Sequence, residues 1–168
     1  NSGAYGYQGE GWVRVGDSAG GVLTPVEVGD ALVLLCRNET WIKVGGSPLT
    51  FDTVCLDSSI GCVGPKAWVS TPRGLIWLSQ HGFVWMMPSG RPKPISDNWL
   101  DLDTAASVTK LNRSQLDRVR ASYDSASDTV EFAVPSATSV GNDMIITFSL
   151  DASTPDYPAF GYAVPLLR

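Results

Sequence analysis

The sequence predicts an all-β protein built from antiparallel meanders, with one or two short helices between residues 97 and 118. Its 17 glycines, 11 prolines and 6 tryptophans are typical of short strands joined by tight turns. Runs of β-favouring residues alternate with turn signals, and the same hairpin pattern recurs further along the chain. Charged residues make up only 17% of the chain, against roughly 25% in an ordinary soluble domain. We therefore expect neighbouring molecules to cover part of the surface.

The first clear hairpin joins two β-favouring runs in the first third of the chain. Ala31–Cys36 is apolar, residues 37–39 are polar, and Thr40–Val44 favours a strand before two glycines end it. The glycine-rich stretch before it, residues 3–20, has one strand candidate at 12–15.

A second segment repeats this pattern as a three-stranded meander. Its strands are predicted at residues 66–70, 75–79 and 83–87, with turns at 71–74 and 80–82. Without gaps, Ala31 aligns with Gly74 and Trp41 with Val84, so the offset is 43 residues. A hairpin repeat of this length is typical of a β-propeller blade.

A third unit follows after a linking segment with helix signals. Asp97 can cap a helix that ends at Leu102, and Asn112 can cap a second helix over residues 113–118. Strands are predicted at 119–123, 129–134 and 144–150, and residues 160–164 are expected to begin another unit. The chain is thus predicted to be a single propeller-like domain, or a fragment of one, over 1–168, with units near 21–64, 65–110 and 111–155.

Composition and charge weigh against several functional classes. The net charge of −5 and the pI near 4.7 give no overall basic field for nucleic acid. The longest apolar run, Ala31–Cys36, is far shorter than the roughly 20 residues of a membrane-spanning helix. The first residues lack the features of a signal peptide and an initiating Met, so we expect a processed chain or a piece of a longer one.

No residue pattern predicts catalysis, a cofactor or a bound metal. The three cysteines, Cys36, Cys55 and Cys62, contain no CxxC pair, which favours free thiols, with a Cys55–Cys62 disulfide as the alternative. His81 is the single histidine, and any Ser-His-Asp or Cys-His arrangement would have to use it. It lies in a predicted turn beside Gly82, where a polar residue is expected for structural reasons.

The densest acidic group is Asp97, Asp101 and Asp103. Paired carboxylates could serve a glycosidase or a calcium site, but the spacing fits neither a catalytic pair nor an EF-hand loop. Helix capping and solvation are the favoured roles, and a glycosidase is kept as a third functional hypothesis.

The densest basic run consists of Arg113, Arg118 and Arg120, near Lys110. Because no aromatic residues interleave with these side chains, a subunit-facing or salt-bridged patch is favoured over a nucleic-acid contact. The six tryptophans are expected to fill the space between stacked sheets. Trp77 and Trp85 have an alternative role, as a surface platform on which a sugar ring stacks.

The order of segments from residue 31 to residue 150 resembles a family of bacteriophage structural proteins. Its pieces are LVLL to WIKVG, IGCVGPKAWV, GLIWLSQHGFVW, PIS followed by a short helix, and RASYD running into VEFAVP. The family comprises the propeller-bearing tail nozzle and packaged-DNA stabilisation proteins of short-tailed phages. The chain departs from that family in length, because 168 residues hold just under four units of 43.

The resemblance implies a non-enzymatic virion protein, made in the bacterial host cytoplasm, that helps close the DNA exit channel of a tail or head-to-tail complex. It also implies a homo-oligomeric ring that contacts other tail or neck proteins, without specific nucleic-acid binding or a membrane. The alternative is a carbohydrate-binding propeller or lectin-like module that uses Trp77 or Trp85.

Overall fold

The computed structural model describes residues 15, 21–45, 52–86, 90–95 and 111–150, together with the backbone of 159–165. These residues form three four-stranded antiparallel sheets and one short 3-10 helix. In each sheet the strands follow one another in chain order, so each sheet is a simple meander. The predicted all-β fold is confirmed.

The first sheet contains β1 (Val22–Val28), β2 (Ala31–Cys36), β3 (Thr40–Val44) and β4 (Asp52–Asp57). Gly29 adopts a positive φ of 59° in the tight turn between β1 and β2, a conformation that glycine adopts without a steric penalty. Val26 and Val28 alternate with exposed residues along β1 and point into the core. This alternation is a signal from which β1, absent from the predicted strands, could have been found.

The second sheet contains β5 (Trp68–Thr71), β6 (Gly74–Ser79), β7 (Gly82–Met86) and β8 (Lys93–Pro94). Its two tight turns use Gly74 and Gly82, with φ of 138° and 133°. The Thr71 hydroxyl accepts a hydrogen bond from the Arg73 amide and donates one to the Gly74 carbonyl, which closes the first turn. The meander predicted at 66–87 is confirmed, with each strand displaced by at most two residues.

The third sheet contains β9 (Arg120–Asp124), β10 (Thr129–Val134), β11 (Met144–Ser149) and β12 (Ala159–Pro165). The 3-10 helix Arg113–Arg118 precedes it, and the Asn112 side chain accepts a hydrogen bond from the Ser114 amide, as predicted for its cap. The expectation that residues 160–164 begin another unit is wrong, because β12 pairs with β11 and completes this sheet.

The sheets pack face to face, with the second sheet in the middle. Every residue of β6 and β7 is buried. On the side of the third sheet, the ring of Phe83 meets Phe132 and Phe148 edge to face, with centroids 4.7 and 4.9 Å apart. The first sheet adds Val33 and Leu35 to the same core cluster.

The opening strands of the three sheets are neighbours, since β5 contacts both β1 and β9. The Ser70 hydroxyl donates a hydrogen bond to the Glu27 carbonyl at 3.4 Å, and the Ala121 amide donates one to the Lys66 carbonyl at 3.0 Å. The sheets therefore meet along their first strands.

A connecting segment, residues 60–64, runs between the first and second sheets and bonds to both. The Cys62 amide donates to the Cys36 carbonyl at 2.8 Å, and the Val63 amide donates to the Leu78 carbonyl at 3.0 Å. A Cβ on Gly61 would lie 2.1 Å from the carbonyl oxygen of Arg37, and one on Gly64 would lie 2.9 Å from that of Asp117. Only glycine fits these two close backbone approaches.

Two predicted elements, the strand candidate at 12–15 and the helix at 97–102, lie outside the described residues, apart from Val15, which belongs to no strand. Strands β4 and β8 were not predicted. β4 carries aspartates at both ends, Asp52 and Asp57, and β8 has only two residues, so neither shows a clear β pattern.

We expect Gly61→Ala to destabilise the protein, because its Cβ would overlap the backbone of Arg37 rather than a flexible side chain. The expected loss is about 2 kcal/mol or more, measured as the free energy of unfolding in urea. Gly141→Ala is the matched control, since a Cβ at Gly141 meets nothing within 4 Å. Equal stability of the two variants would contradict the close approach.

Candidate functional site

The two tryptophans proposed for ligand stacking belong to the core. Trp77 is 0% exposed and Trp85 is 3% exposed, and the Trp77 indole donates a hydrogen bond to the Gly61 carbonyl at 3.1 Å. A sugar ring cannot reach either face, so the stacking role predicted as an alternative is wrong for both residues. Their burial has a plain cause, because β6 and β7 lie in the sheet that is covered on both sides.

The three arginines of the predicted basic patch have different surroundings. Arg113 donates a hydrogen bond to the Gln80 carbonyl at 3.1 Å, and Arg118 donates one to the Val140 carbonyl at 2.7 Å. Arg120 is exposed on β9 and pairs in register with Ala133. Of the three, Arg113 alone lines a described cavity.

That cavity is one half of a polar cleft at the end of the stack where β2, β4 and β6 finish. One half has a volume of about 420 Å³ and the other about 240 Å³, and Arg37 and Gln80 line both. The first half is completed by Val63, Arg113, Ser114, Leu116 and Asp117, and the second by Asn38, Ser58, Ser59, Gly61 and His81.

The cleft is assembled from turns of successive sheets. Arg37 and Asn38 lie in the β2–β3 turn, whereas Gln80 and His81 lie in the β6–β7 turn. Gln80 follows Arg37 by the same 43-residue offset that relates the two hairpins. Stacking of the repeated hairpins thus brings equivalent turns side by side.

Hydrogen bonds hold these walls together. The Gln80 side-chain amide donates to the Asn38 side chain at 3.3 Å, while the Gln80 carbonyl accepts from Arg113. The tightly packed segment from Gly61 to Gly64 passes beneath them. The segment below the cleft is therefore tightly packed, and the turns on its two sides are joined by hydrogen bonds.

A capped turn supplies the rim at Ser58 and Ser59. The Asp57 carboxylate accepts hydrogen bonds from the amides of Ser59 and Ile60, at 2.8 and 2.9 Å, and from the Ser59 hydroxyl. Burial opposes ionisation of Asp57, but these bonds outweigh it and lower the pKa of the carboxyl group. The turn is consequently fixed by an ionised carboxylate at neutral pH.

The outer face of the first sheet, which points away from the second sheet, carries a group of apolar side chains beside the charged residues Glu27 and Lys43, which flank Leu32. By the strand register, Leu32 and Leu34 share this face with Trp41 and Cys55. The first three are partly exposed and Cys55 is exposed. The outer face of the third sheet, in contrast, carries polar side chains such as Glu131 and Thr147.

The three cysteines are free thiols, as favoured from the sequence, and the alternative Cys55–Cys62 disulfide is wrong. Burial, together with the negative charge of Glu39, raises the pKa of Cys36 to about 11. Burial raises the pKa of Cys62 to about 12. Both thiols are therefore protonated and unreactive at neutral pH.

The remaining candidate residues form no catalytic or metal-binding cluster in the described structure. Asp97, Asp101 and Asp103 lie outside the described residues, so the glycosidase hypothesis stays a prediction. Within the described ranges, no group of three or more His, Cys, Asp or Glu side chains could hold a metal ion. Helices long and apolar enough to cross a membrane are also absent from that part of the chain.

The chain matches no protein-family model, and it has no significant match among curated proteins.

We expect at most one thiol per chain, that of Cys55, to react with Ellman's reagent in the native protein, and three in guanidinium chloride. Cys55 is exposed, whereas Cys36 and Cys62 are buried and have raised pKa values. Cys55→Ser should abolish the native reaction. Rapid native labelling of two or three thiols would contradict the described burial.

Stability should fall as the pH rises above about 9. The folded pKa of Cys62, about 12, exceeds its ordinary value of 9.0. Between these pH values the thiol is ionised in the unfolded chain but not in the folded protein, so ionisation favours unfolding. The measurement is the free energy of unfolding from pH 7 to 11. Compared with wild type, Cys62→Ala should show a shallower decline, and an identical slope would contradict the assignment.

Proposed function

We propose that this chain is a non-enzymatic structural component of a bacteriophage tail or head-to-tail junction, where it helps close the DNA exit channel. One observation carries the proposal: three successive four-stranded meanders pack face to face and meet along their first strands. Such stacking supports the propeller-like arrangement implied by the sequence resemblance, in which blades form a rigid wall. The protein would then be located in the virion, in contact with other tail or neck proteins.

The propeller proposal requires further sheets beyond these three. Propellers are built from about four to eight blades, whereas the described residues supply three sheets. The middle sheet has both faces covered, but the first has a partly exposed apolar face at Leu32, Leu34 and Trp41. Val22, which pairs with Cys36 and so shares this face with Leu34, is 43% exposed.

We propose a second copy of this chain as the occupant of that face. A further sheet on this face would continue the stack, because it would repeat the face-to-face packing already made between the first and second sheets. Two copies would supply about six sheets, within the range that propellers use. The acidic balance, with a net charge of −5, suits a conduit that releases DNA rather than grips it.

The oligomeric state tests this proposal. We expect the wild-type chain to sediment as a dimer or larger closed assembly and Leu34→Glu to sediment as a monomer, because the charge would be buried in the interface. Ser125→Glu, in the exposed turn between β9 and β10, is the matched control and should assemble normally. Thermal unfolding should show that both variants remain folded.

A wild-type protein that stays monomeric at every concentration, or an assembly unchanged by Leu34→Glu, would contradict assembly through this face. The phage assignment is tested separately, by immunogold labelling of particles induced from cells that encode the chain. Label confined to the tail or neck is expected, and unlabelled virions would exclude it.

A further inference from the structure

We propose that the polar cleft binds a small, hydroxyl-rich anion of the acidic-sugar class, with Arg37 and Arg113 as the residues that receive its carboxylate. This inference is independent of the proposed virion role, because it concerns a different surface from the outer face of the first sheet. It also differs from the sugar-stacking hypothesis, which needed the buried rings of Trp77 and Trp85.

The charge of the cleft favours an anion. Two guanidinium groups, from Arg37 and Arg113, line it against the single carboxylate of Asp117. Among the described residues, no hydrogen bond or ion pair involves the Arg37 guanidinium. A planar guanidinium binds a carboxylate through two parallel hydrogen bonds, which makes Arg37 the principal anchor.

The other lining groups suit hydroxyls rather than an apolar ligand. Asn38 and Gln80 contribute amides, and Ser58, Ser59 and Ser114 contribute hydroxyls. The Ser59 and Ser114 hydroxyls already donate to Asp57 and Asn112 and so offer acceptors to sugar hydroxyls. The two amides can both donate and accept hydrogen bonds. Sites for drug-like ligands, in contrast, are lined mainly by apolar and aromatic side chains.

The size of the cleft and the charge of the whole chain favour a small ligand over a polyanion. The larger half, about 420 Å³, falls in the range of roughly 300 to 1,000 Å³ that small-molecule sites occupy. Nucleic acid would extend over a surface with a net charge of −5, whereas a single carboxylate would meet the two arginines locally. Charges beyond about 8 Å are screened at physiological salt.

The cleft is also organised before a ligand arrives. The Gln80 side chain bonds to Asn38, and the Gln80 carbonyl accepts a hydrogen bond from Arg113. The Gly61 to Gly64 segment below them is tightly packed against neighbouring backbone. Little ordering of the rim is therefore needed on binding, which reduces the entropic cost.

The test is an isothermal or NMR titration of the full chain with glucuronate, and in parallel with glucose and a short single-stranded DNA. We expect glucuronate to bind with a Kd on the order of 1 mM, as is usual for a small ligand with few contacts. Glucose, which lacks the carboxylate, should bind at least about tenfold more weakly.

Arg37→Ala should weaken glucuronate binding about tenfold or more. Arg37→Lys keeps the charge but cannot form the two parallel hydrogen bonds of a guanidinium, and it should weaken binding less. The matched control is Arg118→Ala, because that side chain bonds to the Val140 carbonyl and lines neither half of the cleft. Arg113→Ala is a second variant, accompanied by thermal unfolding because its side chain holds Gln80.

Three results would overturn the proposal. These are no glucuronate binding by the wild-type chain, equal binding of glucose and glucuronate, and unchanged binding by Arg37→Ala. DNA that binds more tightly than glucuronate and depends on Arg37 would also overturn it, in favour of a phosphate-backbone site.

Discussion

Coverage of the middle sheet on both faces is the constraint on which the rest of the structure depends. β6 and β7 are apolar on both sides and fully buried, so the second sheet cannot be stable without a sheet on either side of it. Burying one large apolar side chain contributes about 1.5 to 3 kcal/mol, and the exposed strands would forfeit many such contributions. The stacked order of the three meanders follows from this requirement.

The same constraint explains how much of the fold could be predicted. Hairpins with tight polar turns, such as the one closed by Thr71 and Gly74, have local signatures and were located within two residues. The cap at Asn112 was equally local. Strand β4 begins and ends with aspartates and so shows little of the β pattern, and the residues of β12 do not themselves tell that it pairs with β11 rather than beginning a new sheet.

The candidate site was harder to predict, because stacking rather than spacing creates it. Arg37 and Gln80 looked like ordinary turn residues, and the 43-residue offset was the one signal that could have placed them together. Arg113, in contrast, was chosen for its charge, which the structure places in the cleft. The tryptophans were misassigned in their alternative role because an alternating pattern does not tell whether the second face of a sheet is covered.

The segment from Gly61 to Gly64 has a consequence for the order in which the molecule forms. Each meander contains mainly contacts between sequence neighbours, so the individual hairpins can form quickly. This segment, however, bonds to Cys36 on one side and Leu78 on the other, and it has both partners only when both sheets exist. The first two sheets should therefore behave as one cooperative unit in hydrogen exchange.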